Sequence, residues 1–327
     1  MPSGWPGPAG VAYAPAVPDA IPPAVTVVVP CKNGARHLPA ALKSVLTQTG
    51  VPAFAVVADD GSADDSVRLA KSLGPRVRVV RSDGTGACAT RNAGLAAVET
   101  PFVKFLDADD VLLPGCLARQ ARQLAAFGDG SISVCGAVRA DGVVPDNLPE
   151  EYDAAAMLAA APLTAAPLHR TACVRAAGGW DERVPRGQER DLYLRMLLAG
   201  VRFVTRPGVV YEYRRHAGER VSGRDGTAKI AAGRLAANRR QLELLYKKYG
   251  DPLPADAARA AAAHLWKVGR RSLRCGLPAD LAAPFFTLAA ELHPRPAVGG
   301  RVYRLANRVA GPVAAERLSS LAARRAG

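Results

Sequence analysis

Pro101-Phe102-Val103-Lys104-Phe105-Leu106-Asp107-Ala108-Asp109-Asp110 joins an apolar run of strand length to a cluster of carboxylates. In an open α/β sheet, ligands bind at the carboxyl ends of the strands. In extended chain, side chains at i and i+2 share a face. Asp107 and Asp109 are therefore expected to converge, with Ala108 turned away. Converging carboxylates repel each other unless a hard cation lies between them. An all-oxygen donor set suits Mg²⁺ or Mn²⁺, which keeps several waters and takes further ligands from substrate phosphates. Taken alone, the stretch reads equally as an acidic turn after a strand.

Outward from this stretch the chain alternates strand and helix signals. The runs 25–29, 54–58, 77–81 and 102–106 read as strands, separated by helical patterns near 35–49, 64–73 and 87–98. Alternation on this scale predicts βαβ units and a mainly parallel sheet, with the strands' carboxyl ends along one edge. After Phe127 the pattern is less regular: a strand near 131–139, helices near 150–161 and 188–199, and strand runs at 201–205 and 208–214. From about 226 onward the chain reads as helical, with candidates at Ala228–Tyr249 and Ala255–Arg274, each followed by Gly. Residues 1–24, rich in Pro, Gly and Ala, read as a loose arm, giving three regions: 1–24, 25–220 and 221–327.

The 327 residues are 49% hydrophobic and 22% charged, the balance of an ordinary globular protein. No apolar run reaches the length of a spanning helix, and the start lacks the features of a signal peptide. The expected location is cytoplasmic. Six cysteines without a CxxC pair, and five scattered histidines, argue for buried thiols rather than a zinc site. The formal charge of +14 is concentrated from Asp225 onward, where 18 Lys and Arg face 7 acids. Such a segment suits an anionic partner, including a peripheral membrane surface, or reflects solvated helix faces. A homodimer role for it is equally open, and nucleic acid is not expected.

Four successive strand ends carry polar signatures. They are Pro30-Cys31-Lys32-Asn33-Gly34, Asp59-Asp60-Gly61-Ser62, Gly84-Thr85-Gly86 with Arg91-Asn92-Ala93-Gly94, and the acid cluster. Pro30 stops the ladder, and Asn33-Gly34 supplies a turn that a ligand can approach. Asp59 or Asp60 can accept from a base N–H or from ribose hydroxyls. Arg91 can face a phosphate or a base edge. Each is a common feature alone; their ordered recurrence is not.

The set Val25–Asn33, Val57–Ser62, Ala89–Gly94 and Phe105–Asp110 resembles the family 2 glycosyltransferases, which have a GT-A fold. The resemblance covers about residues 25–216. It implies a GT-A type (Rossmann-like) α/β sheet flanked by helices, with the helical segment as a C-terminal extension. It further implies a nucleotide-diphosphate-sugar donor, an acceptor nucleophile, a divalent metal (Mg or Mn) and inversion at the anomeric carbon. Pro30, Lys32, Asn33, Asp59, Asp60, Arg91, Asp107 and Arg214 are the implied nucleotide-binding set. Asp107 and Asp109 would be the DxD metal pair, with His216, from Tyr211-Glu212-Tyr213-Arg214-Arg215-His216, as a further metal or phosphate ligand.

Gly178-Gly179-Trp180-Asp181-Glu182 is similar to the family's segment beside the acceptor site, and Gln188-Glu189-Arg190-Asp191-Leu192 to its acidic helix. Glu189 matches the family's general base, while Gln188 replaces the first acid of the pair. Asp191, two residues on, is the other candidate base, but i and i+2 on a helix face different ways. Two rival readings are a dinucleotide-binding oxidoreductase, from Gly84-Thr85-Gly86-Ala87-Cys88-Ala89, and a catalytically weak nucleotide-sugar-binding protein, because Gln188 breaks the pair. A sugar nucleotidyltransferase lacks support, because the first strand end has no Gly-rich phosphate loop.

Overall fold

The computed structural model describes residues 23–84, 86–128, 132–140, 142–144, 148–214, 227–294 and 301–325. Most of the arm expected at 1–24 lies outside them. The chain divides into two compact units. Unit 1 comprises residues 1–153, 162–182 and 195–216; unit 2 comprises 154–161, 183–194 and 217–327.

Unit 1 opens with strictly alternating elements: β1 (Val25–Cys31), α1 (Leu38–Leu46), β2 (Ala53–Asp59), α2 (Ser66–Lys71), β3 (Val77–Arg81), α3 (Ala87–Ala96) and β4 (Phe102–Phe105). After these come β5 (Val111–Leu112), α4 (Cys116–Ala126), β6 (Ile132–Ala140), β7 (Glu151–Tyr152), β8 (Pro167–Arg170), α6 (Thr171–Ala176) and β9 (Arg202–Tyr213). Helix α5 (Ala154–Ala160) belongs to unit 2, and α7 (Gln188–Leu198) is shared by the two units.

The strands form one sheet in the order β3-β2-β1-β4-β8-β6-β9-β5, with β7 on β9. Pairs β1–β2, β2–β3 and β1–β4 are parallel, as the alternation predicts. Strand β8 runs against both β4 and β6, β6 runs parallel to β9, and β5 and β7 run against β9. Six strands therefore share one direction, and three short ones oppose it.

Val25, Val27, Val28 and Val29 are all fully buried, because helices cover both faces of a parallel strand. Burying each such side chain contributes about 1.5–3 kcal/mol before entropy is counted. Leu38, Ala41, Leu42 and Val45 form the buried stripe of α1 at helical spacing. Helix α3 lies so close to β1 that a Cβ on Gly94 would stand 2.4 Å from Val28 Cγ1. That contact fixes the helix carrying Arg91 against the strand ends.

Sequence expectation and structure part company in the second half of the sheet. The runs expected at 201–205 and 208–214 form one strand, β9, whose register against β6 shifts between Cys135 and Val138. A bulge absorbs Pro207-Gly208 without ending the ladder. Helix α4 and strands β5, β7 and β8 are additions to the sequence reading. The helix expected near 150–161 is confined to 154–160, because β7 occupies 151–152.

Unit 2 is helical: α8 (Ala228–Tyr249), α9 (Ala255–Arg274), α10 (Ala279–Leu292) and α11 (Arg301–Arg325), with α5 packed on α9. Thr227 Oγ1 accepts from Ile230 N–H and caps α8, and Gly250 at φ +86° ends it. Trp266 meets Phe286 edge-on at 4.9 Å and donates from Nε1 to the Tyr303 hydroxyl at 3.2 Å. Glu316, 3% exposed, accepts from Arg270 and Arg274. The basic segment thus commits Arg270 and Arg274 to a buried carboxylate. No helix among the described residues is long and apolar enough to cross a membrane.

Candidate functional site

The carboxyl ends of β1, β2 and β4 and the start of α3 form one rim of unit 1. The first two loops are stitched together. Asp60 N–H donates to Cys31 O at 2.9 Å, and Asn33 N–H to Ser62 Oγ at 2.9 Å. Asn33 Oδ1 accepts from Ala63 N–H at 2.8 Å, and Gly34 N–H donates to Ser66 Oγ at 2.8 Å. Asn33 holds φ +51°, a left-handed conformation that Asn tolerates better than most residues. Pro30, half-buried, pairs with Ala58 at the last rungs of the β1–β2 ladder.

The paired aspartates divide their work. Asp59, 7% exposed, turns its carboxylate onto Gly61 N–H at 3.2 Å and Ser62 N–H at 3.1 Å, which closes its own turn. Asp60 receives Lys32 Nζ at 3.1 Å and Gly86 N–H at 3.4 Å. A carboxylate therefore already faces the amino end of α3, where a dinucleotide phosphate would have to sit. This occupancy, on the third βα unit rather than the first, argues against the oxidoreductase reading.

Arg91 is the buried member of the rim. Its guanidinium donates from Nη2 to Asp107 Oδ1 at 2.8 Å; the side chains are 8% and 38% exposed. It also stacks on Trp180, 4.7 Å from the ring centroid, and Trp180 meets Phe105 of β4 edge-on at 5.0 Å. The acid cluster corrects one step of the sequence argument. Strand β4 ends at Phe105, and residues 107–110 form a turn closed by Asp110 N–H to Asp107 O at 3.0 Å. Strand alternation therefore does not govern Asp107 and Asp109; both are placed by the turn and are half-buried. Asp110, 3% exposed, accepts from Arg214 N–H at 2.9 Å and fixes the end of β9 beside the turn. Arg215 and His216 lie outside the described residues.

These donors fit a hard cation. Asp107 has one oxygen committed to Arg91 and retains the other, and Asp109 adds a second carboxylate on the same turn. Among the described residues, no group of three or more His, Cys, Asp or Glu is arranged to hold a metal. Two carboxylates are what an ion completed by water and phosphate oxygens requires.

Sequence reasoning did not single out Asn92. Its amide donates to Trp180 O at 2.8 Å and to Glu182 Oε1 at 3.1 Å, and its Oδ1 accepts from Trp180 N–H at 2.8 Å. The only sequence signal is its position next to Arg91. Across the sheet, a shallow groove of about 660 Å³ at the opposite end of β4 is lined by Thr100, Pro101, Arg170 and Arg175 among others. Its arginines donate to the backbone carbonyls of Leu95, Val98 and Leu124, so it is a packing seam.

In unit 2, the first turn of α7 carries Glu189 and Asp191. Asp191 is 1% exposed and accepts from Arg240 Nε at 2.8 Å, while its N–H donates to Gly187 O. Arg190 is turned inward, donating to Met157 O at 3.3 Å and lying 3.4 Å from His264 Nε2. Burial first, then the Arg190 charge, pushes the His264 imidazole down to about 3, so it is neutral. Glu189 is half-buried, and among the described residues no hydrogen bond or ion pair engages its carboxylate.

A six-to-three mixed sheet with helices on its faces, a carboxylate turn after β4 and helices beyond β9 defines a GT-A fold. The family comparison agrees: residues 26–173 match the model described as glycosyl transferase family 2. Succinoglycan biosynthesis protein ExoO of Rhizobium meliloti is 38% identical over 108 residues, 32% of this chain and 31% of the relative. The uncharacterized glycosyltransferase YibD of Escherichia coli is 29% identical over 116 residues, 35% of this chain and 33% of the relative. The chain thus matches about a third of the length of these relatives. Among solved structures, Staphylococcus aureus TarS 1-349 in complex with UDP-GlcNAc superposes with a TM-score of 0.64. That likeness covers 91% of this chain and 92% of TarS 1-349 at 15% identity, a similarity of fold.

Proposed function

We propose that the chain is an inverting glycosyltransferase that moves a sugar from a nucleotide-diphosphate-sugar donor to an acceptor hydroxyl. The observation that carries this reading is the Arg91–Asp107 pair at the rim of a family 2 segment. It sets a buried guanidinium beside a carboxylate that keeps an oxygen for a ligand. The bound UDP-GlcNAc of the similarly folded TarS supports a sugar nucleotide as the donor class.

In this reading Asp59 and Asp60 shape the nucleoside side of the rim, and Lys32 and Arg91 supply positive charge toward the diphosphate. Asp107 and Asp109 would hold a divalent metal, which when bound offsets the charge that grows on the leaving diphosphate. Glu189 is the general base and takes the acceptor proton on its carboxylate. Asp191, spent on Arg240, is placed to hold α7 instead. A positioned base contributes on the order of 10²–10⁴ in rate.

Thermal unfolding against UDP-, GDP- and dTDP-linked sugars, with and without Mg²⁺ or Mn²⁺, tests the donor site. At least one sugar nucleotide should raise the melting temperature, and only with metal. Asp109→Asn should abolish that protection; an undiminished shift would remove the metal from this pair. Glu189→Gln should keep the protection and lower transfer by about 10²–10⁴. Full activity in that variant would move the base elsewhere.

A further inference from the structure

Asn92 follows Arg91 on α3, so the two side chains leave the same helix turn. Both reach the segment Gly178–Glu182. Arg91 stacks on the ring of Trp180, and Asn92 grips its backbone from both sides, accepting from N–H and donating to C=O at 2.8 Å each. The loop is built to admit this amide. Gly179 sits at φ +64°, and a Cβ there would stand 2.8 Å from Asn92 Oδ1. The same Asn92 nitrogen holds Glu182 Oε1 at 3.1 Å, while Glu182 Oε2 lies 3.6 Å from where a Cβ on Gly84 would stand. Glu182 is exposed, yet one of its oxygens is tied down on the rim.

We infer that Asn92 is a positioning residue. It locks the Trp180–Glu182 loop to the helix whose Arg91 reads Asp107, so that the donor rim and the Glu182 carboxylate move as one body. This rests on the glycosyltransferase reading for its effect on rate, but not for its effect on the loop. A hydrogen-bonded amide with donor and acceptor both in use cannot be replaced by a hydrophobe of similar shape without stranding the Trp180 backbone groups. The ring contact alone, between a guanidinium and an indole, leaves the Glu182 side chain free to swing.

The test is an exchange of polarity across the Asn92–Glu182 bond in the full chain. In Asn92→Asp the Oδ1 acceptor for Trp180 N–H survives, but the donor to Trp180 O is lost and two carboxylates now face each other. In the double variant Asn92→Asp/Glu182→Gln, the new Gln amide can donate to the new Asp carboxylate, which restores the bond with donor and acceptor reversed. Asn92→Asp should speed amide hydrogen exchange at residues 178–182 at least tenfold. It should lower kcat at least tenfold while donor KM stays within about threefold. The probe is UDP-GlcNAc or whichever sugar nucleotide best protects the wild type. The double variant regains the 92–182 bond but not the donor to Trp180 O, so it should recover part of both losses. Unchanged exchange at 178–182 in Asn92→Asp, or a double variant as impaired as the sum of its singles, overturns the inference. If no sugar nucleotide binds the wild type, the glycosyltransferase reading fails, and the exchange measurement still decides the coupling. Should Asn92→Asp not fold, Asn92→Ser with the same exchange measurement takes its place, with the same outcome expected.

Discussion

Lys104 and Asp107 stand three residues apart, one inside the sheet and one on its rim, and their charges are handled in opposite ways. Lys104 is fully buried. Its amine donates to Gln120 Oε1 at 2.9 Å, Pro167 O at 3.3 Å and Ala166 O at 3.4 Å. Gln120 in turn donates to Val134 O and Ala166 O, and Ser133 Oγ lies 2.8 Å from His169 Nδ1. These groups cluster where β8 runs against β4 and β6. Strand β8 has only four residues and opens with Pro167, which brings no N–H to the ladder. Side-chain donors from β4 and α4 supply what the short ladder lacks. On the rim, Asp107 is 38% exposed and only one of its oxygens is committed to Arg91. Lys104 and Gln120 inside the sheet are engaged by protein oxygens and hold strand direction. On the rim, Asp107 keeps an oxygen beyond the one committed to Arg91.

The sharpest way to break this contrast is acid. Burial, and then the Lys104 charge, push the His169 imidazole down to about 3, against 6.5 in the unfolded chain. The unfolded chain therefore takes the proton first. Stability from this group is present above pH 6.5 and is lost as pH falls from there toward 3, by about 1.4 kcal/mol per unit. The full window amounts to a loss of roughly 3–5 kcal/mol. His169→Asn keeps a polar atom near Ser133 and removes the titration. Urea midpoints of wild type and variant at pH 7, 5.5 and 4.5 should converge as pH falls. A constant difference would show that His169 is not held neutral, and the interior would then resemble the rim. Asp109→Asn, on the rim, should leave this convergence unchanged.

The same contrast explains what could be read from the sequence. The parallel half of the sheet was legible because β1 to β4 are rich in Val, Ala and Phe, with Thr26, Arg78 and Lys104 as their interior polar residues, and because the loop signatures fall at their ends. Helices α8 and α9 begin and end where expected, because Thr227, Gly250 and Gly276 mark their boundaries. Strand β8 was not legible. Its four residues sit in an Ala- and Pro-rich stretch, and its direction is fixed by Lys104 and Gln120, which are remote in sequence. Helix α4, Cys-Leu-Ala-Arg-Gln-Ala-Arg-Gln-Leu-Ala-Ala, buries Gln120 on its core face, so its apolar stripe is interrupted. At the site, the aspartates announced themselves by clustering. The turn that places Asp107 and Asp109 did not, because strand alternation extrapolates past the point where the ladder stops. Asn92 could not be found at all by local pattern, because its partners lie 88 and 90 residues away.

The smaller interior effect is alkaline, and its sign is the reverse of the acid one. Burial brings the Lys104 amine down to about 8 from 10.5. The folded state releases this proton first, so the unfolded chain binds more protons above pH 8, and stability rises with pH there. The thiols around it oppose this. Burial raises Cys116, and pushes Cys135 up to about 12 from 9. Their protons are retained in the folded state, so stability falls as pH climbs past 9. Between about pH 8 and pH 9 Lys104 itself contributes a gain near 1 kcal/mol, most of which the thiols offset, so it shows as a difference between wild type and a variant lacking the amine. Lys104→Met strands Gln120 Oε1 and Pro167 O and should be less stable overall, so its absolute midpoint is uninformative. The slope is informative: between pH 8 and 9 the variant should lose about 1 kcal/mol more stability than the wild type, and it should keep the fall above pH 9. A variant whose slope tracks the wild type would mean that the Lys104 amine reaches water, and the line drawn between sheet interior and rim would have to move inward by three residues.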